Sequence, residues 1–148
     1  EFYEPEEEYI QLIENLQIKE KVHLHTHFIP DSEVKKYFSA CDLVVQPYRD
    51  ATQSGVTPLA YYFEKPTLVT NVGSLARLVP EGKAGYVCEP IPDRIAQKMN
   101  YFFQQDPLPF SLFLKNEKQE LSWERFADAI ERSAFENPKG LTISSKNE

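Results

Sequence analysis

Apolar positions recur along this chain with two different periods, and the switches between them outline its elements. After Pro5, Tyr9, Ile10, Leu12, Ile13 and Leu16 fall at helical spacing, behind Glu6, Glu7 and Glu8, acids that suit a first turn. "KVHLHTHF" (21–28) alternates with period two and predicts a strand. Asp31 then caps a short helix that carries Val34, Tyr37 and Phe38 on one face. "CDLVVQPY" (41–48) is almost continuously apolar and stops at a proline, as a strand buried on both faces of a parallel sheet would. A helix from about Ser54 to Phe63 follows, then a second buried strand in "PTLVTNVG" (66–73) and a helical turn over Leu75 to Val79. "GYVCEP" (85–90) predicts another strand. Asp93 opens a helix with Ile95, Met99, Phe102 and Phe103 inward, and Ser122 opens a last one with Trp123, Phe126, Ala127 and Ile130 at i, i+3, i+4 and i+7.

Strands that alternate with helices at this spacing predict right-handed crossovers and a parallel α/β sheet. The expected organisation is one domain over residues 1–135 and a loose tail over 136–148, where "NPKGLTISSKNE" shows no periodicity. A length of 148 residues with 41% apolar content suffices for one real core and argues against a second complete domain.

The formal charge of −7, with scattered basic residues, excludes a nucleic-acid surface from the expectations. Cys41 and Cys88 each sit in an apolar run, which fits two reduced, buried thiols and a reducing compartment better than a disulfide framework. No apolar run approaches the roughly 18 residues of a membrane span, and the acidic start "EFYEPEEEYIQ" is unlike a signal peptide. The chain begins without Met, at what reads as a loop, so it is expected to be a fragment of a longer protein.

The chemistry concentrates in "YRDATQSGVTPLAYYFEKPTLVTNVG" (48–73), where small hydrogen-bonding residues flank both ends of one crossover unit. In open α/β sheets ligands sit beyond the carboxyl ends of the strands, and a helix N-terminus binds phosphate without needing a basic side chain. Gly55 lets an oxygen approach the backbone, Ser54 offers a hydroxyl, and Pro58 falls in the first turn, where its missing N–H costs little. Thr70, Asn71 and Gly73 in the next loop could close over the same ligand. The plainer reading is a pair of ordinary caps and turns.

Taken in order, the segment from Phe28 through "CDLVVQPYRDATQSGVTPLAYYFEKPTLVTNVGSL" to "EGKAGYVCEP", with the late "LSWERFA", resembles the C-terminal, donor-binding half of GT-B glycosyltransferases, the retaining family 4 group also called glycosyl transferase group 1. The likeness spans roughly Val22 to Phe135. It implies a Rossmann-like parallel sheet flanked by helices, incomplete at its N-terminal side. It also implies transfer of a sugar, of hexosyl type, from a nucleotide diphosphate donor with retention and without a metal or other cofactor. Phe28, Ile29 and Pro30 would flank the base. Thr52, Gln53, Ser54, Gly55 and Val56 would face the diphosphate and sugar, the backbone N–H groups of Ser54, Gly55 and Val56 holding the diphosphate, with Thr70, Asn71 and Gly73 opposite.

Several positions depart from the family pattern. Its two glutamates eight residues apart fall at Thr52 and Ala60 in one register and at Ala51 and Leu59 in the other, so neither supplies an acid and the catalytic residue is unassigned. The second glycine of its glycine pair is Ser74, and its following acid is Arg77. Strands ordered 3-2-1-4-5-6 make the family's sheet, and this chain starts after the second. The isolated chain is therefore expected to be inactive, with the acceptor, whether glycan, lipid or protein, held by a missing N-terminal domain. The resemblance implies a cytoplasmic protein or one peripheral to the inner face of a membrane, although nothing in the sequence forms a basic amphipathic anchor. The competing reading is a non-catalytic GT-B-like domain that binds a nucleotide or scaffolds a partner, with a nucleotide-sugar epimerase as a third.

The remaining groups have simple explanations. His23, His25 and His27 alternate along the predicted strand and could face a metal, but no acid or thiol stands at a fixed spacing from them. Tyr61, Tyr62 and Phe63 are expected to pack a helix on the sheet rather than to form a sugar platform. Arg49 and Asp50 read either as donor contacts or as an exposed pair, and Lys65 as a solvated surface residue.

Overall fold

The computed structural model describes residues 5–120 and 123–136. Two compact units share the chain, one ending at Tyr37 and the other beginning at Phe38. The first contains α1 (Glu6–Asn15), with its three glutamates in the first turn, and a single 3-10 turn at Lys19–Lys21. Tyr9, Ile10, Leu12 and Leu16 of the α1 stripe are exposed. α2 runs over Asp31–Ala40.

The expected strand over 21–28 does not form. Val22 has the extended backbone that period-two alternation predicts, at φ −121° and ψ 120°, but residues 22–28 join no ladder among the described residues. An extended segment becomes a strand only by hydrogen bonding to a neighbour.

The second unit holds a three-stranded parallel sheet in the order β1-β2-β3, where β1 is Val44–Gln46, β2 is Thr67–Thr70 and β3 is Gly85–Cys88. Val44 lies opposite Thr67 and Gln46 opposite Val69; Thr67 lies opposite Gly85 and Thr70 opposite Cys88. Each strand neighbours the next in sequence, as in the 4-5-6 half of the expected order. All four residues of β2 are buried, which is why that run contains no charged side chain.

Alternation along β2 splits the core in two. Val69 packs on one face with Tyr61, Leu75, Val79, Ala84 and Leu114, and Leu68 on the other with Tyr86, Cys88, Phe102 and Phe110. The first face is closed by α3 (Val56–Tyr62), by the 3-10 turn Leu75–Leu78, and by Leu114 from α5 (Leu108–Glu120). The second is closed by α4 (Pro92–Phe102) and by Phe110 from the start of α5.

α5 is an element that the sequence reading lacks. Pro107 and Pro109 look like breakers, yet a proline inside the first turn removes only an N–H that would be unsatisfied there. The Asp106 carboxylate accepts the Leu108 N–H at 3.0 Å and starts the helix. In α4, Ile95, Met99 and Phe102 point inward as expected, but Phe103 follows the last helical residue and is exposed. α6 spans Trp123–Glu136, so its last residue extends into the expected tail. Ala127 and Ile130 of its stripe are exposed, while Ser122, the side chains of Trp123 and Phe126, and residues 137–148 lie outside the described residues.

Lys65 is not merely solvated. Its ammonium donates to the carbonyls of Cys41 at 2.9 Å and Ser39 at 3.4 Å, where α2 ends. Tyr61 is buried and Phe63 stacks on Phe38 with ring centroids 5.0 Å apart, whereas Tyr62 is exposed with the Lys118 ammonium over its ring. Only part of that aromatic trio therefore anchors the helix.

Candidate functional site

β1 ends on a polar residue. Gln46 is 3% exposed, and its side chain meets both the following loop and the following helix. The Ser54 hydroxyl donates to Gln46 Oε1 at 2.7 Å, and Gln46 Nε2 donates to Thr57 Oγ1 at 3.0 Å. Ser54 Oγ in turn accepts the Val56 N–H at 3.1 Å, across the start of α3. A buried amide in a strand is costly unless paired, and this one is paired on both sides.

The loop after β2 is held just as firmly. Thr70 is 1% exposed, and its hydroxyl donates to the Tyr48 carbonyl at 2.6 Å. The Asn71 N–H donates to the Cys88 carbonyl at 2.7 Å, and its side-chain amide to Glu89 at 3.4 Å. Ser74 donates from both its N–H and its hydroxyl to the Thr52 carbonyl, at 3.2 and 2.5 Å. Gly73 has φ +52°, and a Cβ built there would stand 1.7 Å from the Ala51 carbonyl oxygen. Only glycine fits so close an approach of two backbones in that conformation.

Residues 47–55 and 71–74, leaving the carboxyl ends of β1 and β2, are thus fastened to one another. Of the residues singled out from sequence, Thr52, Gln53, Gly55, Asn71 and Gly73 are exposed on these two loops. A Cβ at Gly55 would meet nothing within 4 Å, so the backbone there faces open space. Ser54 and Val56 are joined to each other, and the Thr70 hydroxyl is turned inward, so these three shape the loops. Phe28, Ile29 and Pro30 lie in the first unit, where Phe28 is 83% exposed. The two loops carry one cation, Arg49, and one anion, Asp50, both exposed.

Gln46 and Ser74 are the organising residues that sequence reasoning missed. The signal for Gln46 was visible: it is the one uncharged polar residue in an apolar run, immediately before a proline. The positions where acids were sought are differently placed. Ala60 is fully buried and Leu59 is 41% exposed, while Ala51 is half-buried and packs against the core. A groove of about 560 Å³ adjoins the end of β3, with Glu89, Arg94, Gln97 and Lys98 in its wall. Lys98 is paired with Glu81 at 2.6 Å.

No group of three or more His, Cys, Asp or Glu is placed to hold a metal ion among the described residues. His25 instead meets the rings of His27 and Tyr37 edge-on, at 5.9 and 5.3 Å. Cys41 and Cys88 are both free, and burial raises the thiol pKa of each above its usual value. No helix among the described residues is long and apolar enough to cross a membrane.

Comparison with known proteins adds an independent line. The profile described as glycosyl transferases group 1 matches residues 4–119. No curated protein matches the chain. Among solved structures, sucrose-phosphate synthase from Thermosynechococcus elongatus superposes with a TM-score of 0.71 at 18% identity, over 88% of this chain and 33% of that one. The α/β fold is shared with that enzyme, and the chain spans about a third of its length.

Proposed function

The chain belongs to the glycosyl transferases group 1 family, and from this we propose that it is the donor-binding half of a retaining glycosyltransferase that takes its sugar from a nucleotide diphosphate. The observation that supports the reading is the pinning of two loops to each other at the carboxyl ends of adjacent parallel strands, the place where open α/β sheets take ligands. Thr52 and Gln53 orient the donor sugar. The open backbone at Gly55 receives the diphosphate, with Asn71 and Gly73 facing it from the second loop. Backbone N–H donors on pinned loops stabilise the diphosphate as a leaving group because they need little reorganisation as charge develops. Arg49 is the cation these loops can contribute. The acceptor, glycan, lipid or protein, is bound by a further domain, and the chain alone is inactive.

The test is calorimetric titration of the full chain with UDP, GDP and ADP and their sugar conjugates, beside Thr52→Ala and Gln53→Ala. One nucleotide series should bind, more weakly in both variants, with unchanged unfolding. Equal affinity in folded variants defeats the assignment.

A second reading is favoured by the residues at the expected glutamate positions: a non-catalytic domain that binds a nucleotide or scaffolds a partner enzyme. Neither Thr52 with buried Ala60 nor Ala51 with exposed Leu59 offers a carboxylate. Sugar transfer by the longer protein, abolished together with nucleotide binding in Gln53→Ala, would eliminate that reading.

A further inference from the structure

The loop after β1 depends on a side chain to which the sequence reading gives no role. We propose that Gln46 is a positioning residue for this loop: by accepting a hydrogen bond from the Ser54 hydroxyl it fixes Ser54 as the acceptor for the Val56 N–H, and so sets Gln53 and Gly55 on either side. The inference rests on the donor-binding reading above.

The geometry leaves Ser54 little freedom. A hydroxyl donates one hydrogen bond, and Ser54 donates it to Gln46 Oε1 at 2.7 Å, which turns the oxygen's lone pairs toward the Val56 N–H at 3.1 Å. Gln46 is itself held by Thr57, whose hydroxyl oxygen accepts from Nε2 at 3.0 Å and also donates to Oε1 at 3.3 Å. Thr57 is 1% exposed on α3, and the Gln46 backbone lies in the β1 ladder opposite Val69. The amide is therefore fixed by sheet and helix, and transmits that fixity to the loop between them. Without it the Ser54 hydroxyl would rotate, and the exposed residues beside it would lose their common reference.

Two measurements on the full chain decide this. The first is a thermodynamic cycle in nucleotide affinity, with UDP, GDP and ADP as probes, over Gln46→Met, Ser54→Ala and the double variant. Each single change should weaken binding about fivefold to tenfold, as loss of one hydrogen bond does, and the double change little further. Wild-type affinity in Gln46→Met, or losses that multiply, would overturn the proposal. The second is hydrogen exchange at the Val56 amide without ligand, which should accelerate about tenfold in both single variants while the β2 amides do not change. An unaltered Val56 rate in Gln46→Met refutes the positioning role by itself. Should the wild type bind none of the three nucleotides, the donor-binding reading falls, and the exchange measurement still decides what Gln46 does to the loop. If Gln46→Met does not fold, Thr57→Val removes the second anchor of the amide and should move both readouts in the same direction.

Discussion

The Ser74 hydroxyl lies 2.5 Å from the Thr52 carbonyl oxygen, and the Ser74 N–H donates to the same oxygen. One residue of the second loop therefore holds the backbone of the first, while the Thr52 side chain stays exposed. The resemblance drawn from the sequence implies a second glycine at this position. The hydroxyl supplies a cross-loop bond that a glycine could not.

Gly73, next to it, should tolerate no side chain. Gly73→Ala places a methyl 1.7 Å from the Ala51 carbonyl oxygen at φ +52°, and the clash is with backbone, which cannot rotate away. The expected cost is about 2 kcal/mol or more, combining left-handed strain with separation of the loops. Urea unfolding measures it, and a wild-type midpoint in Gly73→Ala would show that the loops do not approach as described.

Tyr61 links stability to alkaline pH. Its phenol donates to the Leu78 carbonyl at 2.7 Å, and burial, with a further contribution from the Glu117 carboxylate, pushes its pKa up to about 12. The unfolded chain releases that proton near pH 10. Its contribution to stability is thus intact below pH 10 and is lost as pH rises from 10 to 12. Tyr61→Phe should cost about 1 kcal/mol at pH 7 and lose its share of the alkaline slope. Unfolding curves from pH 7 to pH 12 compare the two, and parallel slopes would refute the assignment.

Lys65 should behave as a helix cap. Its ammonium reaches the carbonyls of Ser39 and Cys41 at the end of α2, where a cation also meets the negative end of the helix dipole. Lys65→Met keeps the apolar stem and should lower stability by about 1 kcal/mol. Because the site is partly exposed, the difference should shrink in high salt. Unfolding with and without 1 M salt, the screening regime of roughly 3 Å, tests both points.

The sheet was legible where burial admits only one kind of sequence. Leu43 to Val45 and Leu68 to Val69 leave no polar face, and their spacing around α3 dictates a parallel crossover. The segment 21–28 was misread because alternation specifies an extended backbone and says nothing of a neighbour to pair with. Ser54 falls in the loop where it was expected, whereas Thr70 is the last residue of β2 and not a loop residue, and sequence does not tell which way a hydroxyl turns. That of Thr70 is aimed at Tyr48 and that of Ser54 at Gln46. The aromatic Phe103 fits the α4 stripe by spacing alone; the helix ends one residue earlier, and the ring goes to solvent.

The overlooked helix α5 provides the sharpest test of the packing. Leu114 is fully buried in the cluster with Tyr61, Val69 and Leu75, whereas Leu112, two residues earlier on the same helix, is 56% exposed. Both changes to alanine keep helix propensity high, so helix formation cannot separate them. Leu114→Ala removes a fully buried side chain from this cluster and should cost about 2–5 kcal/mol, through lost burial and the cavity left behind. Leu112→Ala should stay within about 0.5 kcal/mol of the parent chain. Equal effects of the two in urea unfolding would mean that α5 does not cover the sheet. The face beneath it, which carries the Tyr61 anchor of α3, would then need another partner.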